Sequence, residues 1–245
     1  MNLLVTAGNT LVPIDRVRCL TNIFTGRTGT QIALHALARG HTVTLLTSHP
    51  QVVSELHPAD TGERLCVVPY RTLDDLQNRM SDRIGPAGPN AVIHSAAVSD
   101  YVSAGVYAAA PDTCFDADTL RWQGEAPALS DRLAGKVKSD EPELWIRLVR
   151  APKLIDLIRE PWGYRGTLVK FKLEVGVSDE RLLDIAERSR THSAADLMVA
   201  NTLEGAADWA YLGPLGGAYQ RIGRRELAER LLEAVERVQG EKGHG

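Results

Sequence analysis

Short apolar runs rich in β-branched residues alternate with longer amphipathic stretches along most of this chain, and that alternation limits the possible fold more than any other feature. The runs are Leu3 to Thr6, Thr42 to Thr47, Leu65 to Val68, Ala91 to His94, Leu144 to Leu148, Leu168 to Leu173 and Asp196 to Ala200. Runs that are apolar without a break suit strands buried on both faces. Thr28 to Ala38, Leu73 to Ile84, Lys153 to Arg159 and Asp179 to Arg190 place apolar residues at helical spacing. Alternation of the two kinds predicts an α/β fold with a doubly wound, largely parallel sheet of Rossmann-like type.

The first helix is expected from Arg27 to Arg39, closed by Gly40, and a last one from Arg224 to about Val238 after a hairpin signal at Gly213 to Gly217. Residues 104–138 interrupt the pattern with Ala, Pro, Asp and Gly and only one brief periodic piece, Ala128 to Leu133. The expectation is one nucleotide-binding domain over residues 1–240, with an irregular flap or dimerisation arm at about 104–138. A tolerated surface insertion is the plainer alternative.

Composition narrows the function. A net charge of -3 disfavours a general nucleic-acid binder. Cys19, Cys66 and Cys114 are scattered without a CxxC pair, which suggests neither a disulfide framework nor a thiolate zinc site. The opening apolar run is too short for a signal-peptide core, and no run approaches the roughly 20 residues that span a bilayer. These features read as a cytoplasmic protein.

Two glycine-bearing segments flank the first crossover, Ala7-Gly8-Asn9-Thr10 and Thr25-Gly26-Arg27-Thr28-Gly29. Loops at the carboxyl ends of parallel strands are where ligands bind, and a helix N-terminus there offers N–H groups to phosphate oxygens. Taken alone, these glycines serve turn geometry equally well. GxGxxG, GxxxxGK[ST], HExxH and GxSxG are all absent, which weakens a plain NAD fold and removes a P-loop. Ala96-Ala97-Val98-Ser99-Asp100-Tyr101 brings small residues and one carboxylate to a further strand end; such an aspartate either holds a metal or polar group or caps a turn. Lys170 and Lys172 share one face of a predicted strand, Phe171 and Leu173 the other, so the lysines either serve a triphosphate or are solvated. His94 reads as a packed strand residue without a catalytic role.

Along nearly its whole length the sequence resembles the phosphopantothenate cysteine ligase family. The segments that carry the resemblance are Thr6 to Thr10, Pro13-Ile14-Asp15, Val17-Arg18, Asn22 to Gly29, Ala96 to Tyr101, Lys136 to Ser139, Ala151-Pro152-Lys153, Phe171 to Glu174 and Asp196 to Asn201. The resemblance implies a ligase that activates the carboxylate of 4'-phosphopantothenate with a nucleoside triphosphate and couples the acyl nucleotide to cysteine. By similarity, Lys136 neutralises charge in the first step, and Asn22 binds substrate and steadies the anhydride in the second. Gly8, Thr25, Gly26, Gly29, Ala96, Ala97, Asp100, Phe171 and Lys172 would bind nucleotide, Arg27 would join Asn22 on the substrate, and Asp100 would help hold Mg2+. The co-substrate would be CTP or ATP, with CTP favoured. The partners implied are these small molecules and a second copy of the chain in a homodimer, with no nucleic acid and no membrane.

The sequence departs from the family at Asn9, where a glycine is usual, at Ser99 and at Val175; a family lysine before Asp196 is lacking, Arg188 and Arg190 being the nearest cations. The first strand begins at Leu3, which reads as a stand-alone ligase without a fused decarboxylase. Two alternatives stay open: an NAD(P)-dependent short-chain-type reductase, whose TyrxxxLys pair is missing here, and a non-catalytic nucleotide-binding paralogue.

Overall fold

The computed structural model describes every residue except 60, 133–136, 138, 139, 244 and 245. In chain order its elements begin β1 (Asn2–Ala7), β2 (Leu11–Pro13), β3 (Cys19–Thr21), α1 (Arg27–Ala38), β4 (Thr42–Thr47), α2 (Gln51–Leu56), β5 (Leu65–Pro69), α3 (Leu73–Ser81) and β6 (Ala91–His94). They continue with β7 (Tyr101–Ala109), β8 (Cys114–Asp116), β9 (Arg121–Gln123), β10 (Leu129–Asp131), β11 (Trp145–Arg150) and α4 (Leu154–Arg159). The last are β12 (Thr167–Glu174), α5 (Asp179–His192), β13 (Leu197–Thr202), β14 (Trp209–Leu215), β15 (Ala218–Gly223) and α6 (Leu227–Gly243). The chain divides into two compact units, one of residues 1–10, 23–98 and 153–245, the other of residues 11–22 and 99–152.

The larger unit is the expected doubly wound sheet, with eight strands in the order β15-β14-β13-β12-β6-β1-β4-β5. Strands β5, β4, β1, β6, β12 and β13 pair in parallel, and β14 and β15 add an antiparallel edge. Five of the six residues of β1 are buried, because helices cover both faces of a parallel sheet. On one face, Ile32, Ala33 and Ala36 of α1 and Leu231, Leu232 and Val235 of α6 pack with Leu3, Val5, Val169, Leu197 and Val199. On the other, Leu182 and Ala186 of α5 pack with Met198 and Ala200. The order of the parallel strands reverses between β1 and β6, so their carboxyl ends form the crevice where open α/β sheets bind ligands.

Within the stretch 104–138, residues 104–131 are more regular than expected. Strand β7 pairs antiparallel with both β10 and β11, and β8 with β9. Within the periodic piece Ala128 to Leu133, Leu129–Asp131 form strand β10, with Ser130 opposite Ala108, and Leu133 lies outside the described residues. Phe115, Trp122 and Trp145 bring their rings within 4.7–5.2 Å of one another and give this unit an aromatic centre.

Leu231 is fully buried between α6 and the sheet. Leu231→Ala should lower the free energy of unfolding in urea by about 2–5 kcal/mol. A loss below about 1 kcal/mol would mean that α6 is not part of the main core.

Candidate active site

The crevice is shaped by a close approach between two glycines that lie far apart in sequence. Gly8, just beyond β1, has φ 93°, and Gly26, just before α1, has φ 81°. A Cβ on Gly26 would stand 2.3 Å from the Gly8 nitrogen, a distance no side chain tolerates. Gly29, in the first turn of α1, is as tight: a Cβ there would meet Ser95 Oγ at 2.4 Å and Ala7 Cβ at 2.7 Å. The sequence pattern that fails to match GxGxxG therefore achieves a comparable closeness of helix to strand with glycines drawn from both ends of the β1–α1 connection.

The segment after β6 is pinned beside them. Ser95 Oγ donates to the Thr6 carbonyl at 2.7 Å, Ala96 N–H to Thr6 Oγ1 at 3.2 Å, and Ala97 N–H to the Gly8 carbonyl at 2.7 Å. Asn9, a departure from the resembled pattern, is held from the end of β4: its N–H donates to Ser48 Oγ at 2.9 Å, and that hydroxyl donates to Asn9 Oδ1 at 3.0 Å. The departure thus forms a cross-link between two strand ends.

Helix α1 begins without a side-chain cap and with no acidic residue in its first turn. The first bond from its N-terminal turn is Thr30 N–H to the Gly26 carbonyl at 3.0 Å, which leaves the N–H groups of Arg27, Thr28 and Gly29 without an intrahelical acceptor. That end carries the positive pole of the helix and opens onto a cavity of about 310 Å³. It is lined by Gly8 and residues 24–29 from the β1–α1 connection, by Ser95, Ala96 and Ala97 after β6, and by Phe171, Lys172 and Leu173 of β12. The predicted Gly8, Thr25, Gly26, Arg27, Gly29, Ala96, Ala97, Phe171 and Lys172 therefore all line one cavity. Arg27 also reaches Glu55 at 3.0 Å.

The lysine pair of β12 is divided. Lys172 borders the cavity and pairs with Glu174 at 2.9 Å, whereas Lys170 donates to the Ser189 carbonyl and Ser193 Oγ, both at 3.0 Å, at the end of α5. Burial pushes the Lys170 amine below its ordinary value. Period two places them on one face, but only the one nearer the strand end escapes the covering helix. Arg188 bonds Asp184, and Arg190 bonds Glu187 and the Ala195 carbonyl, so both arginines are engaged within or beside α5. His94 is the packed strand residue expected: its Nδ1 lies 2.9 Å from Thr6 Oγ1, and burial lowers its pKa to about 4.

Asn22 and Asp100 are exposed residues of the smaller unit, and Lys136 lies outside the described residues. Within that unit the Asp15 side chain is fully buried. It accepts from the Val17 and Arg18 N–H groups at 2.8 Å, from the Arg18 guanidinium at 2.7 Å and from Val137 N–H at 3.0 Å. The Arg18 hydrogen bond leads in holding this carboxyl far below the usual carboxylate range. Arg18 also donates to the Val137 carbonyl at 2.8 Å, so the pair grips both polar ends of the residue between Lys136 and Lys138 in sequence. Sequence reasoning gave no cavity role to Ser95, Asn201, Ala206 or Arg224, which also line it. Arg224 in particular reads as one more basic residue at a helix start.

Comparison with known proteins agrees with this architecture. Residues 1–109 match the family model described as DNA/pantothenate metabolism flavoprotein C-terminal domain. The coenzyme A biosynthesis bifunctional protein CoaBC of Thermococcus kodakarensis is 29% identical over 242 residues, covering 96% of this chain and 51% of the relative. The chain thus spans about half the length of the curated relative it matches. A solved structure, the DNA/pantothenate metabolism flavoprotein from Streptococcus pneumoniae, superposes with a TM-score of 0.75 at 28% identity, covering 97% of this chain and 99% of that one. A Cab2 variant in complex with phosphopantothenate-cysteine shares the fold, with a TM-score of 0.69 at 18% identity, covering 98% of this chain and 86% of that one.

Gly26→Ala should destabilise the protein by about 2–4 kcal/mol through its clash with the Gly8 backbone and its left-handed φ. Gly40→Ala, with φ 86° and nothing within 4 Å, should cost only about 1 kcal/mol. Equal losses in urea denaturation would contradict the close approach. Through residues 1–109, which hold both glycine loops, the chain is similar to the DNA/pantothenate metabolism flavoprotein C-terminal domain, and the resemblance first read from its motifs is borne out.

Proposed function

We propose that the chain is an acid–amine ligase that joins 4'-phosphopantothenate to cysteine at the expense of a nucleoside triphosphate. The observation that carries this reading is the glycine-lined cavity at the crevice between β1 and β6, into which an uncapped helix N-terminus opens. The similarity to proteins whose names refer to pantothenate metabolism and coenzyme A biosynthesis supports the choice of substrates.

The carboxylate of 4'-phosphopantothenate attacks the α-phosphorus, pyrophosphate leaves, and a mixed acyl–nucleotide anhydride forms. The cysteine amine then attacks the acyl carbon, the nucleoside monophosphate leaves, and the amine's proton is released. The N–H groups of Arg27, Thr28 and Gly29 suit phosphate oxygens, and Ala96, Ala97 and the Phe171 ring leave room for a flat base. By resemblance, Lys136 stabilises charge in the first step and Asn22 holds the anhydride in the second, with Arg27 on the acid substrate. CTP is the favoured nucleotide over ATP.

Among the described residues no group of three or more His, Cys, Asp and Glu is placed to hold a metal. By resemblance, a Mg2+ ion would accompany the nucleotide, with Asp100 as one supporting carboxylate. The stretch 104–138 is proposed as the dimerisation arm; exposed Leu120 and Leu129 support pairing of two copies through it. The unpaired cysteines suit a reducing compartment, in keeping with a cytoplasmic enzyme. No helix among the described residues is long and apolar enough to cross a membrane.

Purified protein incubated with 4'-phosphopantothenate, cysteine, Mg2+ and CTP should release pyrophosphate, CMP and the coupled amide. Lys136→Ala should slow pyrophosphate release about 100-fold or more with an unchanged melting temperature. Absence of product with both CTP and ATP would refute the ligase reading, and full activity of the variant would remove Lys136 from the chemistry.

A further inference from the structure

A second cavity, of about 270 Å³, adjoins the first and shares Thr28 and Arg224 with it. One wall is the face of α1 that carries Gln31 and His35; the other is the start of α6 with Arg225. The polar groups it gathers are two guanidiniums, an imidazole, an amide and a hydroxyl, and no Asp or Glu lines it. Neither Arg224 nor Arg225 pairs with a carboxylate among the described residues, whereas Arg27, Arg39, Arg159, Arg181, Arg188 and Arg190, in or beside other helices, do so.

Arg224 is the more constrained of the two. Its backbone N–H donates to the Asp208 carbonyl at 2.8 Å, and its guanidinium bonds the Thr28 hydroxyl on the wall common to both cavities. Burial pushes this guanidinium below its ordinary value, with no carboxylate to offset the loss of water. A half-buried cation without a counter-ion is costly by itself, and an anion beside it removes that cost. Arg225 is exposed at the cavity mouth, where it adds a second positive charge without being part of the core.

We infer that the second cavity is a subsite for a phosphate-class anion, held by Arg224 and Arg225 with His35 and Gln31 completing the donor set. The inference rests on these side chains, and only its nucleotide source rests also on the reading of the first cavity as a nucleotide site. The same chemistry has two sources: free inorganic pyrophosphate, or the terminal phosphates of a nucleotide seated in the first cavity and reaching past Arg224.

The test titrates inorganic pyrophosphate into the full chain by calorimetry, for the wild type, Arg225→Ala, Arg225→Lys and His35→Ala, with melting temperatures as the control for folding. Arg225→Ala should weaken pyrophosphate binding about tenfold or more, Arg225→Lys should restore part of it, and His35→Ala should weaken it less. A parallel titration with CTP separates the sources. An equal loss for CTP assigns the subsite to the nucleotide's own phosphates, and a loss for pyrophosphate alone assigns it to the free anion. Wild-type protein that does not bind pyrophosphate, or Arg225→Ala that binds it as tightly as the wild type, would overturn the subsite. Either outcome leaves the ligase assay untouched, so the two readings fail separately.

Discussion

The approach of Gly26 to the backbone of Gly8 is the contact on which the rest of the cavity depends. It brings the first turn of α1 against the end of β1, and Gly29 extends the closeness to Ala7 and Ser95. Any side chain at these positions would lift the helix from the sheet. With the helix lowered, three N–H groups and the positive end of its dipole face the cavity, while Ile32, Ala33 and Ala36 of the same helix enter the main core. One element therefore joins stability to the site: the packing that orders α1 also orients its free donors.

Much of this architecture was legible in the sequence because parallel strands buried on both faces leave continuous apolar runs. Strands β1, β4, β6, β12 and β13 appear where Leu3, Thr42, Ala91, Leu168 and Asp196 open such runs, with ends shifted by a few residues. The Gly216 and Gly217 pair, at φ 60° and 89°, makes the hairpin its composition announces. Helix α2 escaped notice because Gln51–Leu56 is too short to establish a period. Strands β8, β9 and β10 escaped for a related reason: three-residue strands in polar surroundings carry almost no alternation, and their pairing is tertiary information.

The cavity was legible residue by residue but not as geometry. Spacing along the chain said that Gly8 and Gly26 fail a known fingerprint; only the fold reveals that they touch. Periodicity put Lys170 and Lys172 on one face, yet α5 claims the first and leaves the second at the rim. Arg224 had no signal at all, since a basic residue at the start of a helix looks the same whether it is solvated or borders a cavity. Asp15 and Arg18 were visible as motif letters, and their work, gripping the backbone of Val137 from a distant stretch of sequence, needed coordinates.

The most direct test of a nucleotide site at the glycine-lined end of α1 is the amide nuclear magnetic resonance spectrum of uniformly nitrogen-15-labelled protein during titration with CTP. Binding there predicts saturable shifts at the N–H groups of Thr25 to Gly29 and of Ala96 and Ala97, with Gly40, at the other end of α1, unmoved. No shift at Gly26 to Gly29 at saturating CTP, or shifts confined to residues away from this cavity, would contradict it.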